Sequence, residues 1–74
     1  MTTMTIGISD MMCHNCEQHV NEAIKKAFKV KKVESDFEKK ETVILAKEAI
    51  PEAQLADVIR EAGYNFTGIK SVTA

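Results

Sequence analysis

Along residues 3–9 apolar and polar positions alternate, with Met4, Ile6 and Ile8 on one side of the chain. That is the period of a strand half-buried against a core. Beyond residue 13 the period changes. Cys16, Val20, Ala23, Ile24 and Ala27 recur at helical spacing, while Glu17, Gln18, Asn21, Glu22, Lys25 and Lys26 take the other face. The pattern predicts an amphipathic helix over about 14–28. Asn15 is its candidate N-cap, and the lysines at its far end suit the helix dipole. Residues 30–37 alternate again, with Val33, Ser35 and Phe37 on one face. A charged turn over 38–41 and a β-branched arm over 42–46 complete a hairpin. The turn lacks Asn-Gly or Asp-Gly, which leaves its type open. Pro51 is placed at the first position of a second helix, lined on one face by Leu55, Val58, Ile59 and Ala62, with Gly63 suited to the residue just past its end. Residues 64–72 read as a short final strand carrying Phe66 and Ile69.

The order β-α-β-β-α-β, in two βαβ halves of similar length, is that of an α+β, ferredoxin-like sandwich. Two helices cover one face of a four-stranded antiparallel sheet. The expected core is Met4, Ile6, Ile8, Val20, Ile24, Val33, Phe37, Val43, Leu45, Leu55, Val58 and Ile59. At 74 residues, with no linker or low-complexity stretch, the chain reads as one domain over 1–74. It is also small for an enzyme, which needs a walled pocket as well as a core. A formal charge of -1 removes the main electrostatic reason to expect nucleic-acid binding. No apolar run nears the roughly 20 residues of a membrane span, so direct membrane insertion is not expected. The opening Met1-Thr2-Thr3-Met4 lacks the features of a secretory signal, so a cytoplasmic protein is expected.

The chemistry concentrates in Asp10-Met11-Met12-Cys13-His14-Asn15-Cys16, which holds both cysteines of the chain. A lone C-x-x-C is a metal site, a redox pair or a structural feature. Here it follows a strand and opens a helix, where free N–H groups and the positive end of the dipole stabilise thiolate. Soft sulfur ligands favour Cu(I), Zn(II) and similar ions over Mg(II) or Ca(II). Structural zinc normally takes four ligands. The sequence supplies two thiolates, with Asp10, His14 and His19 as potential additions, so a low-coordinate ion fits better than a closed zinc cage.

Met11-Met12-Cys13-His14-Asn15-Cys16 resembles the M-x-C-x-x-C motif of heavy-metal-associated domains, at the same place between first strand and first helix. The resemblance extends over the whole chain, to Gly63-Tyr64 after the second helix, and is strongest to the small bacterial copper chaperones of the CopZ type. It implies a cytosolic carrier, not an enzyme, that passes Cu(I) by thiolate exchange to the metal-binding domains of a copper-transporting P-type ATPase, and in some cases to a copper-responsive repressor. It implies Cys13 and Cys16 as the Cu(I) ligands and Met11 as packing beneath the loop. Tyr64 falls where bacterial members often carry a tyrosine close to the metal. Asp10 departs from the family, which often has Gly there, and a carboxylate at that point keeps Zn(II) in view. Zinc-exporting relatives tend to place an acidic residue where this chain has Met12.

The remaining candidates divide between chemistry and plain packing. His14, Met12, Tyr64 and Asp10 are auxiliary ligands or neighbours of the metal on one reading, and solvated or edge-of-core residues on the other. His19, one turn from Cys16, reads as a solvated helix residue. Lys25, Lys26, Lys29, Lys31 and Lys32 supply half of the basic residues within eight positions. They form either a solvated face or a surface that steers docking onto an acidic partner. Exposed paired thiolates also allow a Cu-bridged homodimer. The alternatives are a Zn(II), Hg(II) or Cd(II) carrier of the same fold, a small thiol–disulfide redox protein, or a metal-binding domain cut from a longer ATPase.

Overall fold

The computed structural model describes residues 1–73. Its elements follow the expected order: β1 (Thr2–Ile8), α1 (His14–Ala27), β2 (Lys32–Asp36), β3 (Glu41–Ala46), α2 (Glu52–Glu61) and β4 (Phe66–Thr73). The strands form one antiparallel sheet in the order β2-β3-β1-β4, so each βαβ unit brackets a strand of the other. This is the ferredoxin-like arrangement. Met4, Ile6, Ile8, Val20, Ile24, Val33, Leu55 and Ile59 are buried as expected. Losing one of these large side chains to Ala costs about 2–5 kcal/mol.

The faces of β3 are the reverse of expectation. Val43 is 38% exposed and Leu45 only half-buried, whereas Thr42, Ile44 and Ala46 face the helices and are buried. Residues 43–46 are apolar at every position, so alternation could not choose a face. Pairing with β1 chose it, by setting Ile44 opposite Met4 and Thr42 opposite Ile6. A fully buried threonine follows from that register, and its hydroxyl is satisfied. Ser35 Oγ donates to Asn21 Oδ1 at 2.6 Å and lies 2.9 Å from Thr42 Oγ1. With the serine proton already used, the threonine must donate to the serine. Phe37 and Val58 are also half-buried rather than core. Phe37 sits in the turn after β2, and Leu55 and Ile59 take the inward face of α2.

The helix boundaries show two further differences. Cys13, not Asn15, is the N-cap of α1, in an extended conformation and with no side-chain cap. Its carbonyl accepts the Glu17 N–H at 3.1 Å, which starts the helix before Asn15. Pro51 lies one position earlier than expected, as the N-cap of α2. At the end of α2, Gly63 has φ +94°, and its N–H donates to Arg60 while Tyr64 donates to Ile59. This is a Schellman closure, which needs a left-handed residue at Gly63. It turns Tyr64 back against the core, toward the start of α1.

Candidate metal centre

Residues 9–13 join β1 to α1, and three parts of the fold hold them. The Ile8 N–H donates to the Lys40 carbonyl at 2.9 Å, and the Ser9 N–H donates to the Asn65 carbonyl at 3.0 Å. The Asp10 carboxylate accepts from Asn65 Nδ2 at 3.0 Å and from Ser9 Oγ at 3.2 Å. Met11 turns inward and is fully buried in the core. An apolar side chain placed there removes the loop's freedom to lift away, because exposing it would forfeit most of its burial energy.

The loop therefore delivers its two cysteines to fixed places. Cys13 is exposed at the helix start, and Cys16 is half-buried in the first turn. Both are free thiols, with Sγ atoms 3.3 Å apart. The Cys16 thiol is lowered to about 7, first by a hydrogen bond from the Met12 backbone, then by the Tyr64 hydroxyl and by Cys13, against the opposing effect of burial. Tyr64 is pushed up to about 12 chiefly because it shares its proton with Cys16, with burial and the nearby sulfur charges adding to it. Near pH 7 Cys16 is therefore about half thiolate, beside a phenol that stays protonated.

The other sequence candidates are placed less centrally. The His14 Nδ1 lies 2.8 Å from Glu17 Oε1, and the ring meets Phe37 edge-on at 4.9 Å. His19 Nδ1 is 3.4 Å from the Tyr64 hydroxyl. Met12 is 69% exposed, with its sulfur 3.2 Å from Lys40 Nζ. Among the described residues, no group of three or more His, Cys, Asp and Glu side chains comes together as a metal site. Lys25, Lys26, Lys29, Lys31 and Lys32 are exposed. They lie at and beyond the other end of α1, which at about 1.5 Å per residue puts Lys25 roughly 14 Å along the axis from Cys16.

Two residues at the site carried no local signal. Glu17 reads as part of the polar face of α1, yet its carboxylate accepts the Phe37 N–H at 2.8 Å and clips the helix start to the turn after β2. Lys40 reads as one charge in a charged turn, yet its Nζ reaches the Met11 carbonyl at 3.4 Å. The spacing of Glu17 from His14 was legible as a helical i,i+3 pair. The contacts made across 20 and 29 positions were not.

A model of the heavy-metal-associated domain matches residues 5–65, which spans the loop, both helices and three strands. The chain belongs to the heavy-metal-associated domain family. Solved structures agree with this. Oxidized MerP from Ralstonia metallidurans CH34 is 32% identical, with 96% of this chain and 100% of that one covered and a TM-score of 0.78. The N-terminal domain of ZntA in the Zn(II)-form is 25% identical, with coverage of 99% and 97% and a TM-score of 0.83. The copper chaperone Atx1 from Synechocystis PCC6803 is 26% identical, with coverage of 84% and 95% and a TM-score of 0.72. No curated protein matches the sequence. As a heavy-metal-associated domain, the chain has a metal-binding carrier fold. No helix among the described residues is long and apolar enough to cross a membrane.

Proposed function

We propose that this heavy-metal-associated domain is a cytoplasmic Cu(I) carrier in which Cys13 and Cys16 hold the ion and hand it on by thiolate exchange. The observation that carries the reading is a pair of sulfurs 3.3 Å apart, one exposed, with no His, Asp or Glu clustered on them among the described residues. Two metal–sulfur bonds of about 2.3 Å put the sulfurs roughly 3.8 Å apart in a tetrahedral site and about 4.6 Å apart in a linear one. The opening from 3.3 Å falls to the exposed Cys13 side chain, since Cys16 is packed against the core.

In the transfer step a thiolate of the acceptor bonds to Cu(I) and gives a three-coordinate intermediate. One bond to Cys13 or Cys16 then breaks, and the departing sulfur takes up a proton or remains a thiolate. Copper stays Cu(I) throughout. The acceptors that fit are the metal-binding domains of a copper-transporting P-type ATPase, with a copper-responsive repressor as a second recipient and a Cu-bridged homodimer as a resting form. The lysines at the far end of α1 lie too far from the sulfurs to touch both metal and acceptor. They contribute by long-range steering. His14, Met12, Tyr64 and Asp10 act as neighbours of the metal, with Tyr64 the most direct through Cys16.

A Zn(II) carrier is the second reading, favoured by the likeness to the Zn(II)-form ZntA domain. It requires Asp10, His14 or His19 to join the two sulfurs, and His14 can do so through Nε2 while Nδ1 keeps Glu17. Anaerobic titration of the reduced protein with Cu(I) against a competing chelator, repeated with Zn(II) and followed by size exclusion, separates the two. Cu(I) should bind far more tightly, at one equivalent per chain or less. Cys13→Ser and Cys16→Ser should each abolish tight binding while leaving the circular dichroism spectrum unchanged; wild-type affinity in either variant refutes the assignment. Disulfide-exchange catalysis in metal-free buffer would instead support the redox alternative.

A further inference from the structure

Lys40 lies in the turn between β2 and β3 with φ +55°, a left-handed conformation that a non-glycine residue holds only when its surroundings demand it. Its carbonyl is tied to the Ile8 N–H at 2.9 Å, so the turn is fastened to the last residue of β1. Its ammonium extends to the Met11 carbonyl at 3.4 Å and to Met12 Sδ at 3.2 Å. Among the described residues, no carboxylate comes within ion-pair distance of it. A full positive charge is thus held, without a partner, on the two residues that precede Cys13.

The Met11 carbonyl and the Met12 N–H are the two ends of one peptide group. The carbonyl end faces Lys40. A trans peptide directs these ends oppositely. The Lys40 ammonium polarises this amide, and its charge is held on the residue next to Cys13. The same ammonium occupies the Met12 thioether, which withholds that sulfur from a metal.

We propose that Lys40, held on Met11 and Met12 beside Cys13, is the counter-charge of the two-cysteine site and biases it toward a monovalent over a divalent soft cation. The proposal rests on the reading of Cys13 and Cys16 as the ligands. Two thiolates with Cu(I) carry a net charge of -1, whereas two thiolates with Zn(II) are neutral. A fixed cation nearby stabilises the first complex and not the second. The protonation state of the free pair cancels from that ratio, so the bias does not depend on it. Lys40 is a positioning residue here and touches no metal.

The test compares Cu(I) and Zn(II) affinities, by chelator competition, in wild type, Lys40→Met, Lys40→Gln and Lys40→Arg. Each variant keeps a side chain with Cβ, so all share the backbone cost at φ +55°. The neutral variants should lower the Cu(I)-to-Zn(II) affinity ratio by roughly three- to tenfold at low ionic strength, the size of one unit charge acting near a surface. Lys40→Arg should retain the wild-type ratio. In about 1 M non-coordinating salt, where the screening length falls to about 3 Å, wild type and neutral variants should converge. A purely structural lysine would change both affinities alike and ignore salt. Ratios within twofold of wild type in both neutral variants overturn the proposal, as does a wild-type ratio that salt does not move, a measurement that needs no variant to fold. Cys13→Ser and Cys16→Ser belong in the same series. If they keep wild-type Cu(I) affinity the ligand reading fails, whereas if they lose it and the Lys40 variants keep their ratio, only the role of Lys40 fails.

Discussion

Met11 offers a direct separation of packing from ligation, because it is a thioether next to two thiols and yet fully buried in the core. Truncation to Ala removes a side chain with no exposed surface, a change that costs about 2–5 kcal/mol. A domain of this size has on the order of 4–11 kcal/mol in total, from 0.05–0.15 kcal/mol per residue. Met11→Ala should therefore remove a large share of the stability. With a urea slope of about 1–1.5 kcal/mol/M, the unfolding midpoint should fall by at least about 1.3 M. Met11→Leu keeps the volume and should cost less than about 1.5 kcal/mol. The discriminating assay is urea unfolding of the reduced, metal-free protein, followed by Cu(I) competition on the folded Met11→Leu variant. Copper affinity should survive the loss of sulfur. A Met11→Ala cost below about 1 kcal/mol would show that the side chain is not buried in solution. A folded Met11→Leu protein with weakened Cu(I) binding would show that the thioether is a ligand, and the packing argument would fail.

Three further predictions test the electrostatics of the pair and the polar patch in the core. Tyr64→Phe removes the hydroxyl that favours the Cys16 thiolate, so the pH midpoint of Cys16 alkylation, about 7 in wild type, should move upward; an unchanged midpoint means the hydroxyl does not act on the sulfur. Because the folded value lies below the ordinary value of 9.0, the Cys16 thiol should stabilise the reduced metal-free protein increasingly as pH rises from about 7 to about 9, and lose that effect as pH falls through 7. Cys16→Ser should flatten that part of the stability profile. Ser35→Ala leaves the buried Thr42 hydroxyl without the partner it has at 2.9 Å, at a cost of about 1–3 kcal/mol in urea unfolding. Ser35→Ala with Thr42→Val removes both polar groups and should recover part of that loss; no recovery would mean that the serine matters for another reason.

The element order, the strand-to-helix position of the cysteine loop and the helical closure at Gly63 were legible in the residues alone. They rest on local quantities: a period of two or of 3.6, the proline torsion, and the freedom of glycine at positive φ. The start of α1 was legible to within two residues, and the cap was not, because the extended backbone at Cys13 overrode the preference of Asn15. The faces of β3 were undetermined locally. Val43, Ile44, Leu45 and Ala46 are all apolar, and only the register with Met4 and Ile6 decided that Ile44 and Thr42 turn inward. The surroundings of the two sulfurs belong to the same class. Tyr64 and Lys40 reach the loop region from distant parts of the chain, and Glu17 ties the start of α1 to Phe37, 20 positions on. A polar side chain on a solvated face or in a turn has the same local pattern whether or not such a partner exists. The cysteine pair was thus determined by sequence, while its thiolate character and its nearby positive charge were decided by which turns the fold brings against it.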